Sequence, residues 1–188
     1  MTYLILGVLL WSLLHILPAA GSGIRAALIN RIGEGPYKGL FALLIILSIV
    51  MMVFGWKTIP REFIYELPAW ADLVCGISML AMSVLFFAPY MKTNISRLLR
   101  HPQLLGIALW GFGHVLASGQ VRSLVLFGGI SAWAIVELLC INRRDGAWQK
   151  PAPVSYMEDF KLLLAGLGFF LIFVFIHEGV FGAAVVPA

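Results

Sequence analysis

Charge is the first thing this sequence lacks. Of its 188 residues only 12% are Asp, Glu, Lys or Arg, about half the share a soluble domain carries. That excludes a surface that faces water on every side. Cysteine is nearly absent: Cys75 and Cys140 both lie inside apolar stretches, which argues against a disulfide framework. No Gly-rich loop follows a strand, no His-Glu-x-x-His occurs, and no Ser–His–Asp set can be singled out. The phosphate-loop, zincin and serine-hydrolase readings fall with them. Nor does any Lys or Arg precede the first apolar run. That run ends at Pro18-Ala19-Ala20 but lacks the basic start of a signal peptide, so it is expected to remain as a helix.

What the sequence has instead is apolar length, with 61% of its residues hydrophobic. Crossing a bilayer as a helix takes about 20 mainly apolar residues. Six stretches come close: Thr2–Ala20, Lys38–Trp56, Ala69–Tyr90, Pro102–Gly119, Ser123–Ile141 and Lys161–Val186. The expectation is an all-α, polytopic membrane helical bundle of about six transmembrane helices, forming a single domain over residues 1–188. Membrane lipid is then its immediate partner, and the formal charge of +4 reflects basic loops rather than nucleic acid. Loops one, three and five hold Arg25, Arg31, Lys38, Lys92, Arg97, Arg100, Arg143, Arg144, Lys150 and Lys161. The other side has only Lys57, Arg61 and Arg122. Cytoplasmic loops collect Lys and Arg, so both termini are expected outside, N-out and C-out.

The loops have features of their own. Ile24–Ile32 mixes apolar positions with Arg25, Asn30 and Arg31 and ends at Gly33, the pattern of a short surface helix. Pro151 and Pro153 make the stretch from Arg144 to Tyr156 an irregular connection. Ser118-Gly119-Gln120 reads as a tight turn.

Histidine is the candidate chemistry. A polar group inside hydrocarbon is costly without a partner, so an intramembrane histidine is a site hypothesis, with hydrogen-bonded helix packing as the alternative. Helix one reads Leu10-Trp11-Ser12-Leu13-Leu14-His15-Ile16-Leu17, and helix four reads Leu109-Trp110-Gly111-Phe112-Gly113-His114-Val115-Leu116. Both are Leu-Trp-x-x-x-His-x-Leu, which puts Trp and His on one face, a turn apart. Gly106, Gly113 and Ala117 are expected on the same face of helix four, letting a second helix or a flat cofactor come close. The two motifs suggest a three-plus-three inverted repeat, with helices one to three related to four to six. His15 and His114 then lie near mid-membrane, where two neutral imidazoles suit a transition metal such as haem iron. No Cys-x-x-Cys-His occurs, so covalent haem is excluded. Zinc fits less well, because no carboxylate or cysteine clusters with the pair. His101, before Pro102, reads either as a helix-start residue or, with Arg100 and Arg25, as a receiver of cofactor carboxylates. His177 reads as an interfacial residue, a proton relay or a third metal ligand. Glu137 alone among the carboxylates lies well inside a span and is expected to face the bundle interior.

Several of these runs resemble a known family. Gly33-Glu34-Gly35-Pro36-Tyr37-Lys38-Gly39-Leu40, then Arg100-His101-Pro102-Gln103-Leu104-Leu105-Gly106 through Leu109-Trp110 to His114, and the closing Phe175-Ile176-His177 are similar to the NnrU family. The resemblance implies a bacterial inner-membrane protein linked to denitrification, with nitrite or nitric oxide chemistry nearby and denitrification enzymes as partners. The same family is similar to zeta-carotene isomerase, a membrane b-haem enzyme whose two haem-ligating histidines match His15 and His114. Haem b is therefore the cofactor the resemblance implies, and a small gas or a lipophilic molecule its ligand. The residues expected around it are Trp11, Trp110, Gly106, Gly113, Arg25, Arg100 and His101. Whether the chain is an enzyme stays open. The alternatives to a redox or nitric-oxide-linked haem protein are a haem-dependent cis–trans isomerase of a polyene and a cofactor-free assembly factor. Ile16 and Leu17 follow His15, where the isomerase has a small polar residue, and this departure bears on the isomerase reading.

Overall fold

A computed structural model describes residues 1–182 and 185. The described chain folds as helices: α1 (Thr2–Ala20), α2 (Ser22–Ile32), α3 (Glu34–Thr58), α4 (Ala71–Phe87), α5 (Ile95–Leu98), α6 (Pro102–Ser118), α7 (Val121–Ser123), α8 (Gly129–Asp145) and α9 (Tyr156–Phe181). A π-turn over Leu124–Gly128 joins α7 to α8 in one rod. The all-α membrane bundle is as expected. Five helical segments are long and apolar enough to span: Thr2–Ala20, Glu34–Thr58, Ala71–Tyr90, Val121–Asp145 and Tyr156–Phe181. Among the described residues that is five, against the expected count of about six. The expected fourth span is the 17-residue α6, about 25 Å long at helical rise, and it sits between α4 and α8. The expected end of the sixth span at Val186 lies outside the described residues.

Packing follows the order α3, α1, α8, α6, α4, α9. Small residues set its closest approaches. A Cβ placed on Gly55 of α3 would sit 2.5 Å from the Leu4 nitrogen of α1, and one on Gly166 of α9 would sit 2.7 Å from Val84 Cα of α4. The core is Leu4, Val8, Met52, Ile130, Trp133 and Ala134, and large apolar side chains such as Leu43, Leu73, Leu139 and Phe175 face outward. A hydrocarbon solvent explains such a surface. The repeat extends only part way. The α1–α3 pair has its counterpart in α6–α8, but the counterpart of α4 on α6 is α9 on α1, and α9 packs on α4 instead.

Each end of the bundle is tied differently. At the basic end, Arg144 donates to the Pro18 carbonyl, Arg100 to that of Gly146 and Arg97 to that of Pro151. The expected surface helix is α2, closed by Gly33 at φ +88°, a backbone angle that favours glycine. Residues 146–155 form the expected irregular connection. At the other end Gly119 (φ +62°) ends α6 in the left-handed C-cap geometry. The loop after α3 returns to this turn, where Phe63 pairs with Gln120 and the Tyr65 hydroxyl donates to the Val115 and Leu116 carbonyls.

Candidate functional site

The two Trp–His motifs fold alike. In α1, the His15 Nδ1 lies 2.8 Å from the Trp11 carbonyl oxygen, and in α6 the His114 Nδ1 lies 2.9 Å from that of Trp110. A carbonyl only accepts, so Nδ1 carries the proton and Nε2 keeps its lone pair. Each Trp also lies against its own histidine, at ring-centroid distances of 4.2 Å and 5.0 Å. The tautomer is thus set by a bond within one helical turn.

Partner helices then give the two histidines different surroundings. His15 faces Trp133 of α8 at 5.0 Å and Phe41 of α3 at 6.0 Å. Near it are buried polar atoms without a hydrogen-bond partner: Trp11 Nε1, Trp133 Nε1, Tyr37 Oη and Glu137 Oε2. Glu137 follows Trp133 by one turn and is 8% exposed, facing the interior as expected. An open surface pocket of about 390 Å³ is lined by Pro18, Arg25, Tyr37, Lys38 and Phe41, with the Arg25 guanidinium over the Tyr37 ring at 5.8 Å. His114 stacks on Phe127 of the π-turn at 4.5 Å and 27°. It also faces His177 of α9, with 6.3 Å between ring centroids.

His15 and His114 therefore attach to the same rod at different heights. Trp133 and Phe127 are six residues apart in sequence, about 9 Å along a helix. Among the described residues, no group of three or more His, Cys, Asp or Glu could hold a metal ion. The donor chemistry nevertheless suits haem iron, which takes a neutral imidazole nitrogen whose ring is oriented by the other nitrogen's hydrogen bond.

The remaining candidates are placed separately. Gly106 and Gly113 lie against α4, where added Cβ atoms would meet Leu85 and Met82, and Ser78 and Cys75. They were expected on the histidine face. Successive residues turn by about 100°, so Gly113 meets α4 while His114 meets Phe127. His101 is bonded through Nε2 to Asn142 Oδ1 at 3.1 Å, which ties the start of α6 to the end of α8. Arg100 holds the Gly146 carbonyl at 2.7 Å, and Arg25, on α2, lies over the Tyr37 ring. Trp133, Phe127, Phe41 and Tyr37 were not picked out from sequence. A mid-span Trp was the available signal, since a buried indole N–H usually finds a partner.

The family model described as NnrU protein matches residues 3–185 of the chain. No curated protein and no solved structure matches it.

Proposed function

The chain belongs to the NnrU family, and from that premise we propose that this multi-pass membrane protein binds b-type haem inside the bilayer through His15 and His114. Its role in this reading is redox or nitric-oxide-linked, in support of denitrification. The observation that carries the reading is the shared Nδ1-to-carbonyl bond of the two histidines, which leaves Nε2 basic on both. Haem iron supplies one-electron transfer when both axial positions are held, or gas binding when one is open.

The chain's own residues have distinct parts in this reading. Trp11 and Trp110 fix the two imidazoles, while Trp133 and Phe127 wall them off from lipid. Arg25, in the open pocket it shares with Lys38, offers positive charge to carboxylates at the headgroup level, while Lys38 is paired with Glu34 at 2.8 Å. The basic end faces the cytoplasm of a bacterial inner membrane in this proposal, because Arg25, Arg97, Arg100 and Arg144 gather there.

The test is haem content and coordination in detergent-purified protein, with single and double Ala substitutions at His15 and His114. Loss of haem from well-folded double variant supports the reading. Unchanged haem in that variant removes the ligand assignment. A colourless wild type that takes up no haem on reconstitution favours a cofactor-free assembly factor.

A further inference from the structure

We propose that the basic end of the bundle carries a binding site for the phosphate headgroup of an anionic phospholipid such as phosphatidylglycerol. The site is an open pocket of about 470 Å³ between the segment after α4 and the connection before α9. Lys92, Thr93 and Ser96 line one side, and Pro151, Ala152 and Val154 line the other. None of these residues belongs to the haem reading.

The polar side has unused capacity for an anion. Lys92 is exposed and makes no ion pair among the described residues. No described lining residue is a carboxylate, and both oxygens of Asp159 accept from the neighbouring Asn94. Thr93 is 3% exposed, yet its hydroxyl has only the Ser96 Oγ, at 3.5 Å. Ser96 in turn reaches the Ala88 carbonyl at 3.4 Å. Both contacts exceed the about 2.5–3.0 Å of an ordinary O–H···O bond. A phosphate oxygen can therefore accept from these hydroxyls while Lys92 supplies the opposite charge.

The two sides are already joined. The Asn94 amide donates to the Val154 carbonyl at 2.9 Å, its oxygen accepts from the Val154 nitrogen at 3.1 Å, and the Arg97 Nε donates to the Pro151 carbonyl at 3.1 Å. A headgroup thus meets a preformed pocket and loses little affinity to ordering it. Location favours a lipid over a free anion. The pocket lies between the end of the span Ala71–Tyr90 and the start of the span Tyr156–Phe181, where headgroups lie, and its other side is apolar. None of the described lining residues is aromatic, so it lacks the ring faces that hold a quaternary ammonium such as choline.

The experiment is native mass spectrometry of full-length protein in detergent, offered equal amounts of phosphatidylglycerol and phosphatidylcholine. Wild type is expected to retain one phosphatidylglycerol in preference to phosphatidylcholine. Lys92→Gln is expected to lower that occupancy about fivefold, the scale of one basic residue beside anionic lipid, and Thr93→Val should lower it too. Lys57→Gln makes the same charge change on the last turn of α3 and should bind as wild type does. Equal retention of the two lipids, or wild-type binding by both Lys92→Gln and Thr93→Val, overturns the site. An equal loss in Lys57→Gln overturns it in favour of bulk charge. Displacement of the lipid by a modest excess of inorganic phosphate overturns the lipid assignment in favour of a free anion.

Discussion

The His114 Nδ1 bonds to the carbonyl oxygen of Trp110 at 2.9 Å, within the same helical turn. The partner is main chain, so the bond survives a change of the Trp side chain. The Trp110 ring adds packing, at 5.0 Å from His114 and 4.9 Å from Phe127. Trp110→Phe is therefore expected to keep its full haem content. Its thermal stability should fall by about 1 kcal/mol, the scale of one aromatic pair. Haem quantification beside a melting curve checks both, and a colourless, folded Trp110→Phe contradicts the main-chain account.

Gly55 marks the tightest seam between α1 and α3. An added Cβ would lie 2.5 to 2.9 Å from Leu4 atoms, two of them backbone. Gly55→Ala is expected to cost about 1–3 kcal/mol, as overpacking does. Gly39→Ala, which meets nothing within 4 Å, is the control and should melt like wild type. Equal melting of the two variants refutes the seam.

Asn94 joins the loop before α6 to the start of α9. Its backbone nitrogen and side-chain amide donate to Asp159 at 2.7 Å and 2.6 Å, the amide also donates to the Val154 carbonyl, and its oxygen accepts from the Val154 nitrogen. Asn94→Ala removes the side-chain bonds and is expected to destabilise by about 1–3 kcal/mol. Protease nicking in residues 146–155 should rise in parallel. Unchanged melting and nicking would show that the connection is held elsewhere.

Arg122 is 8% exposed and sits 4.3 Å over the Trp56 ring. It also donates to the carbonyls of Trp56 and Ile59 and to the Gln120 side chain. Lysine keeps the charge but not the planar fork. Arg122→Lys is expected to lose about 1–2 kcal/mol, read as an earlier melt with haem retained. A variant as stable as wild type denies the fork its role.

The spans were legible because hydrocarbon demands long apolar runs, and Glu137 because a mid-span carboxylate must turn inward. The Trp–His motif was legible because its partners lie four residues apart on one helix. Phe127, Trp133 and Tyr37 were hidden, since their contacts form only when separate helices meet. The length of α6 was legible to within a residue, with Gly119 as its natural stop. The glycine face was misassigned because helical spacing orders positions around an axis without saying which neighbour lies at each angle. The return of Phe63 and Tyr65 to the turn at Gly119 left no periodic signal.

The most direct measurement is the absorption spectrum of detergent-purified protein, oxidised and dithionite-reduced, for wild type, His15→Ala and His114→Ala. A six-coordinate b-haem spectrum in wild type, altered or lost in both variants, is the predicted result. A haem spectrum that neither substitution changes, or a wild type without haem after reconstitution, contradicts the account.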